Sequence, residues 1–219
     1  MPDRAAVILV ELLRDKDADV RWTASESLGK LGDGTVVQAV IPLLKDPEAT
    51  VRAAAAVTLG RIGSAARDQA GPALVRALRD PEERVQKAAV LAIGDAGLSE
   101  SMVREVLALL QREPVEIRRA AALALMQIEI KYQLEPLAEA VRDADTVVRQ
   151  AAAAALGESG EASAVERLDA LALNDADTTV RVEAVYRLSK TPGERSRKVL
   201  NRIAEGDRDA DVRRWARAD

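Results

Sequence analysis

The chain has 219 residues, of which 48% are hydrophobic and only 2% aromatic, with no phenylalanine. It contains neither histidine nor cysteine, which excludes an imidazole base, a thiolate nucleophile, a Ser-His-Asp triad and the usual zinc ligands. Its 32 basic and 36 acidic residues give a formal net charge of -4, whereas a dedicated duplex-binding protein would be basic.

A short motif recurs along the whole chain at intervals of 31 to 34 residues. Each copy has an acidic residue, then an apolar residue followed by Arg or Gln, then an Ala-rich stretch. The seven pairs of an apolar residue with Arg or Gln, which we call anchors, are Val20-Arg21, Val51-Arg52, Val85-Gln86, Ile117-Arg118, Val148-Arg149, Val180-Arg181 and Val212-Arg213. A period this regular predicts seven copies of one structural unit.

Each anchor begins the apolar stripe of a predicted amphipathic helix. In the second copy, Val51, Ala55 and Leu59 are four residues apart, and at 100° per residue they share one helix face. The acid and proline residues of 46–48 are helix-start signals, and the glycines of 60–63 are helix-stop signals. Alanine in the middle of the stripe allows a neighbouring helix to approach closely, which accounts for 42 alanines in a chain with so few aromatics.

A second amphipathic segment lies between each stop and the next anchor, as in residues 36–44. The predicted unit is therefore a first helix, a tight turn, a second helix and a short turn. The seven repeats occupy approximately residues 1–32, 33–63, 64–97, 98–129, 130–160, 161–192 and 193–219.

The segment from Asp46 to Gly63 resembles the short bacterial and archaeal type of HEAT repeat, which is also found in phycobilin lyase subunits. The resemblance covers nearly the whole chain. It implies an all-α fold, a right-handed α-solenoid forming a single domain over residues 1–219. It also implies that second helices line a concave face, which such proteins usually use to bind another protein.

Four positions of each second helix, at two, three, six and ten residues after the anchor, point away from or border the buried stripe. They also match the positions that vary on the concave face of the family. The alanines there are expected to fill gaps between helices, whereas for the larger apolar residues gap filling and partner binding both stay open. The predicted partner-binding residues are Trp22, Glu26, Val57, Arg61, Lys87, Leu91, Arg119, Leu123 and Tyr186.

The repeated arginine of the anchors is predicted to be structural rather than a phosphate-binding ladder. Carboxylates of the preceding turns stand close to it in sequence, so a repeat-to-repeat series of ion pairs and carbonyl contacts explains its recurrence. The carboxylates expected as its partners are Asp19, Glu48, Asp145, Asp177 and Asp211.

These features predict a non-catalytic interaction or scaffold protein that binds a protein or peptide, with no catalytic residue, metal or cofactor. One alternative is a phycobilin lyase-like subunit or chaperone that handles a tetrapyrrole, which the missing His and Cys disfavour. A second is a weak binder of nucleic acid or phosphate, since residues 181–219 hold 11 basic and 7 acidic residues, including Arg195, Lys198 and Arg202 on one helix flank.

A cytoplasmic location and the absence of a membrane segment are also expected, because no apolar run approaches the ~18 residues that a spanning helix needs. Uncovered helices at the two ends of the solenoid would permit self-association.

Overall fold

The structure, a computed structural model, describes residues 4–32, 34–111, 113–128, 135–159 and 162–217. Within these ranges no strand occurs, and short 3-10 helices at Ile41–Lys45 and Gly63–Ala66 accompany the α-helices. The α-helices are α1 (Arg4–Leu12), α2 (Ala18–Leu31), α3 (Gly34–Val40), α4 (Ala49–Ile62), α5 (Arg67–Ala77), α6 (Glu83–Ala96), α7 (Glu100–Leu109), α8 (Val115–Met126), α9 (Glu135–Ala140), α10 (Thr146–Glu158), α11 (Ala162–Asn174), α12 (Thr178–Lys190), α13 (Glu194–Gly206) and α14 (Ala210–Trp215).

The chain forms two compact units, unit 1 over residues 1–109 and unit 2 over residues 110–219. In unit 1, the second helices α2, α4 and α6 pack side by side, and the first helices α1, α3, α5 and α7 form the adjoining layer. In unit 2, α8, α10, α12 and α14 are neighbours in that order, and α9, α11 and α13 pack against them. The all-α helical-repeat architecture is thus confirmed, whereas a single solenoid domain over 1–219 stays a prediction.

The predicted apolar stripe of the second helices is the core of each unit. In α4, Val51, Ala55 and Leu59 are all buried. The alanine four residues after the anchor is buried in every repeat, at Ala24, Ala55, Ala89, Ala121, Ala152, Ala184 and Ala216. Helices that meet through methyl groups approach closely, so the core is filled without large aromatic side chains.

In six of the seven repeats, the turn before the second helix is held by an aspartate that stands five residues before the anchor. In the sixth repeat, Asp175 accepts a hydrogen bond from the N–H of Asp177 at 2.9 Å, and Asp177 in turn caps α12 by accepting from the N–H of Thr179 at 2.8 Å. The same two-step arrangement recurs at Asp143 and Asp145 before α10. Two acids in series therefore satisfy backbone donors that a helix start leaves unpaired.

The paired glycines at the ends of α2 and α4 have two different roles. Gly32 and Gly63 have φ of 52° and 72° and end the helices, as the sequence predicted. Gly29 and Gly60 instead stay within the helices at points of close approach: a Cβ on Gly29 would lie 2.7 Å from Cβ of Arg61. The first glycine of each pair is thus a packing residue rather than a cap.

Four of the six anchor arginines form the predicted ladder of ion pairs, but with partners other than those expected. Arg149 donates to the carboxylate of Asp175 at 2.9 and 3.1 Å, and its Nη1 donates to the carbonyl of Asp143 at 2.9 Å. The equivalent pairs are Arg52 with Asp80, Arg118 with Asp143, and Arg181 with Asp207. The carboxylate comes from the turn of the following repeat because the arginine side chain extends across the interface between stacked second helices. Of the nearer acids, Asp145 and Asp177 instead cap their own helices.

Acid conditions are expected to weaken this ladder and the similar pair of Arg14 with Asp46. Burial by itself raises the pKa of Asp46, Asp143 and Asp207, but hydrogen bonds from an arginine and from a backbone N–H outweigh it, so each pKa lies below the ordinary value. A depressed folded-state pKa means that stability is fully present above the unfolded pKa of about 3.9 and is lost as the pH falls through the folded value.

We therefore expect the urea midpoint of unfolding to fall between pH 5 and pH 3. It should be flat between pH 6 and pH 8, because the chain has no histidine to titrate there. Asp143→Asn should reduce the acid dependence, while a midpoint that stays constant down to pH 3 would contradict the assignment.

Candidate functional site

In unit 1, Trp22 and Arg61 come together on the exposed side of the second helices. The guanidinium carbon of Arg61 lies 4.7 Å from the centre of the Trp22 ring, and its Nη1 donates to the Trp22 carbonyl at 3.2 Å. The Trp22 side chain nevertheless stays 56% exposed. A cation over an exposed indole is worth about 0.5–1 kcal/mol, so Arg61 orients the ring without covering it.

Charged residues border this tryptophan. Glu26, one turn further along α2, pairs with Lys30 at 2.9 Å. The hydrogen bond and charge of Lys30, with a contribution from Arg61, lower the pKa of Glu26, so it is ionised at neutral pH. Charged side chains of both signs therefore lie beside Trp22.

Leu91 and Lys87 stand on the same face of α6, one helical turn apart. Leu91 is 61% exposed, and Lys87 pairs with Glu83 at 2.7 Å. Val57 of α4, the helix between α2 and α6, is only half-buried. We call Trp22, Glu26, Val57, Arg61, Lys87 and Leu91 the unit 1 surface.

The sequence-predicted residues of unit 2 do not form an equivalent surface. Arg119 on α8 donates two hydrogen bonds to Asp145, and these lower the pKa of that capping carboxylate. Leu123, one turn further, is half-buried rather than exposed. On α10, Ala151 and Ala154 are buried. These alanines fill space between helices.

Tyr186 on α12 instead belongs to a second cluster, whose other aromatic member is Trp215 on α14. The two rings meet edge to face at 87°, with centroids 6.1 Å apart. The guanidinium carbon of Arg187 lies 5.3 Å from the centre of the Tyr186 ring, and the ammonium nitrogen of Lys190 lies 5.7 Å from it. Trp215 was not among the predicted site residues, although its position three residues after the anchor Val212 is the signal that could have included it.

Two of the three cations on the predicted basic flank of α13 are paired with carboxylates. Arg195 contacts Glu166 and Asp169, at 2.7 and 2.5 Å, and Lys198 pairs with Glu194 at 2.7 Å. The third, Arg202, is exposed.

Among the described residues, no group of three or more acidic side chains is placed to hold a metal ion. In the same part of the chain, no helix is both long enough and apolar enough to cross a bilayer.

The sequence pattern of HEAT repeats matches residues 6–70 and 134–218, more than half of this chain. The chain belongs to the HEAT-repeat family. Among curated protein sequences, none matches it significantly.

Solved structures show the same HEAT-type fold. An archaeal HEAT-like repeats protein from Thermococcus onnurineus NA1 has a TM-score of 0.65 at 16% identity, over 99% of this chain and 95% of that one. Escherichia coli YibA has a TM-score of 0.61 at 20% identity, over 94% and 78%. The CpcE–CpcF complex of phycocyanin lyase from Nostoc sp. PCC7120 has a TM-score of 0.57 at 20% identity, over 99% and 86%. At these identities the likeness concerns the fold alone.

Proposed function

We propose that this HEAT-repeat protein is a non-catalytic interaction module that binds a protein or peptide on the unit 1 surface. The observation that carries the proposal is the exposure of two large apolar side chains, Trp22 and Leu91, on the same layer of second helices. Apolar groups of this size in a polar surround are typical of contact surfaces.

The chemistry of the surface supports a protein partner. Tryptophan and arginine are the residues most enriched among those that dominate binding energy at interfaces. Arg61 already holds the Trp22 ring in place. Little side-chain entropy would therefore be lost on binding.

The non-catalytic part of the proposal rests on composition. Without His or Cys, general acid-base or nucleophilic chemistry would depend on carboxylates, lysines and hydroxyls. Glu26, which belongs to the proposed surface, and Glu83, on the same helix as Lys87, are each paired with a lysine.

Replacing Trp22 by Ala and Leu91 by Ser together is expected to weaken partner binding by about 30-fold or more, since loss of an interface hot spot costs about 2 kcal/mol. Both side chains are exposed, so the free energy of unfolding should change by less than about 0.5 kcal/mol. Affinity capture from lysate of the source organism, followed by titration of the captured partner against each variant, measures the effect.

The matched control is Val7→Ser with Ile8→Ser, which removes two exposed apolar side chains from α1 in the same unit. Equal loss of the partner in both double variants would show that the unit 1 surface is not the binding site. A visible absorption band induced by added bilin, and lost only in the Trp22/Leu91 variant, would assign the surface to a pigment and overturn the proposal.

A further inference from the structure

We infer that unit 2 carries a second docking surface, built from Tyr186, Arg187, Lys190, Arg214 and Trp215, for an acidic protein segment with an apolar anchor. We call these five residues the aromatic-basic surface. They belong to α12 and α14, which pack against each other.

The two aromatic side chains are ordered but uncovered. Tyr186 is 37% and Trp215 41% exposed, although each could bury far more area in a core. Their edge-to-face contact fixes both rings, and the two cations beside Tyr186 add to that order. A fixed and exposed aromatic pair loses little entropy when a partner side chain packs on it.

The charge around the rings selects the partner. Lys190 has no carboxylate partner among the described residues, and its ammonium lies by Tyr186. Arg214 is 76% exposed and has only a 3.3 Å contact with Asp211 of its own helix. Lys190 and Arg214 are therefore the two cations of this surface that are available to the carboxylates of a partner.

A protein segment fits better than a nucleic acid strand. Acidic side chains are interspersed with the cations, since Arg187 contacts both Glu158 and Glu183 and Arg214 contacts Asp211. A continuous phosphate backbone would be repelled by these carboxylates, whereas a peptide can place its acids at Lys190 and Arg214 and an apolar side chain against Trp215.

The test is fluorescence anisotropy with a labelled 12-residue peptide of Glu, Asp and two central Leu residues. The same peptide with Lys in place of its acids and a labelled 12-nucleotide oligothymidine serve as comparisons. We expect the acidic peptide alone to bind, with an affinity that falls at least threefold between 50 and 300 mM NaCl.

Lys190→Glu with Arg214→Glu is expected to weaken peptide binding at least tenfold, as is Trp215→Ala. The matched control is Lys198→Glu with Arg202→Glu on α13, which makes the same change in net charge elsewhere in unit 2 and should alter binding less than twofold. Circular dichroism identifies any variant that fails to fold. Both double charge variants change exposed positions, so they can still be compared if Trp215→Ala fails to fold.

If both double charge variants weakened peptide binding equally, net charge alone would explain the loss, and the inference would be overturned. Tighter binding of the oligothymidine, or no peptide binding at 1 mM, would also overturn it. The residues tested here are absent from the unit 1 surface, so failure of one surface leaves the test of the other intact.

Discussion

Arg181→Ala is expected to lower the free energy of unfolding of unit 2 by about 3–5 kcal/mol, the cost of breaking a buried ion pair. The Arg181 side chain is 2% exposed, and that of its partner Asp207 is 6% exposed. Arg181 donates to both carboxylate oxygens, at 3.0 and 3.2 Å, and to the carbonyl of Asp175 at 3.0 Å. Its removal leaves a buried negative charge that keeps one hydrogen bond, from the N–H of Asp209, and the nearby charge of Arg208.

Urea unfolding monitored through Trp215 fluorescence in a Trp22→Phe background measures this effect in unit 2. The control is Lys198→Ala, which removes a pair to Glu194 in the same unit whose side chains are 75% and 77% exposed, and it should cost less than about 1 kcal/mol. Pairing Arg181→Met with Asp207→Asn should recover part of the loss, because no unpaired charge then remains buried. A loss of less than about 1 kcal/mol in the free energy of unfolding for Arg181→Ala would contradict this prediction.

Gly60→Ala is expected to destabilise unit 1 by about 1–3 kcal/mol, the usual cost of overpacking. In the interior of an ordinary helix, Gly→Ala would stabilise the fold by about 0.5–1 kcal/mol, so at Gly60 we expect the opposite change in the free energy of unfolding. A Cβ built on Gly60 would lie 2.8 Å from Cα of Ala92 and 3.1 Å from its Cβ. Backbone cannot yield as a flexible side chain can, so α4 and α6 would have to separate.

Gly206→Ala is the matched control, because Gly206 is the last residue of α13 and a Cβ there meets nothing within 4 Å. It should be neutral or stabilising by up to about 1 kcal/mol. Thermal unfolding followed by circular dichroism compares the two variants. If Gly60→Ala raised the melting temperature as Gly206→Ala does, the close approach of α4 and α6 would not be a constraint on this position.

The repeat and its buried stripe could be predicted from the sequence because they depend on local periodicity. The spacing of Val51, Ala55 and Leu59 fixes one helix face, and the burial of all three follows from it. The partner of each anchor arginine could not be found in this way. Sequence proximity favoured Asp145 as the partner of Arg149, whereas this arginine reaches Asp175, 26 residues away, across the contact between α10 and α12.

The residues of the candidate surfaces could likewise be predicted only in part from the sequence. Helical offset placed Leu91 and Leu123 in equivalent positions, yet Leu91 is exposed and Leu123 is half-buried. The number of residues from the anchor gives the direction in which a side chain leaves its helix. Exposure depends on how the neighbouring helices cover it.

By itself the sequence determined the helical repeat, its period, its alanine-lined core and the absence of histidine and cysteine chemistry. Only the tertiary structure decided which glycines are caps and which are packing contacts, which acids complete the arginine ladder, and that Tyr186 pairs with Trp215. The physical reason is that backbone hydrogen bonding and amphipathicity act over one helical turn, whereas these contacts join residues about 26 to 33 positions apart through the packing of neighbouring helices.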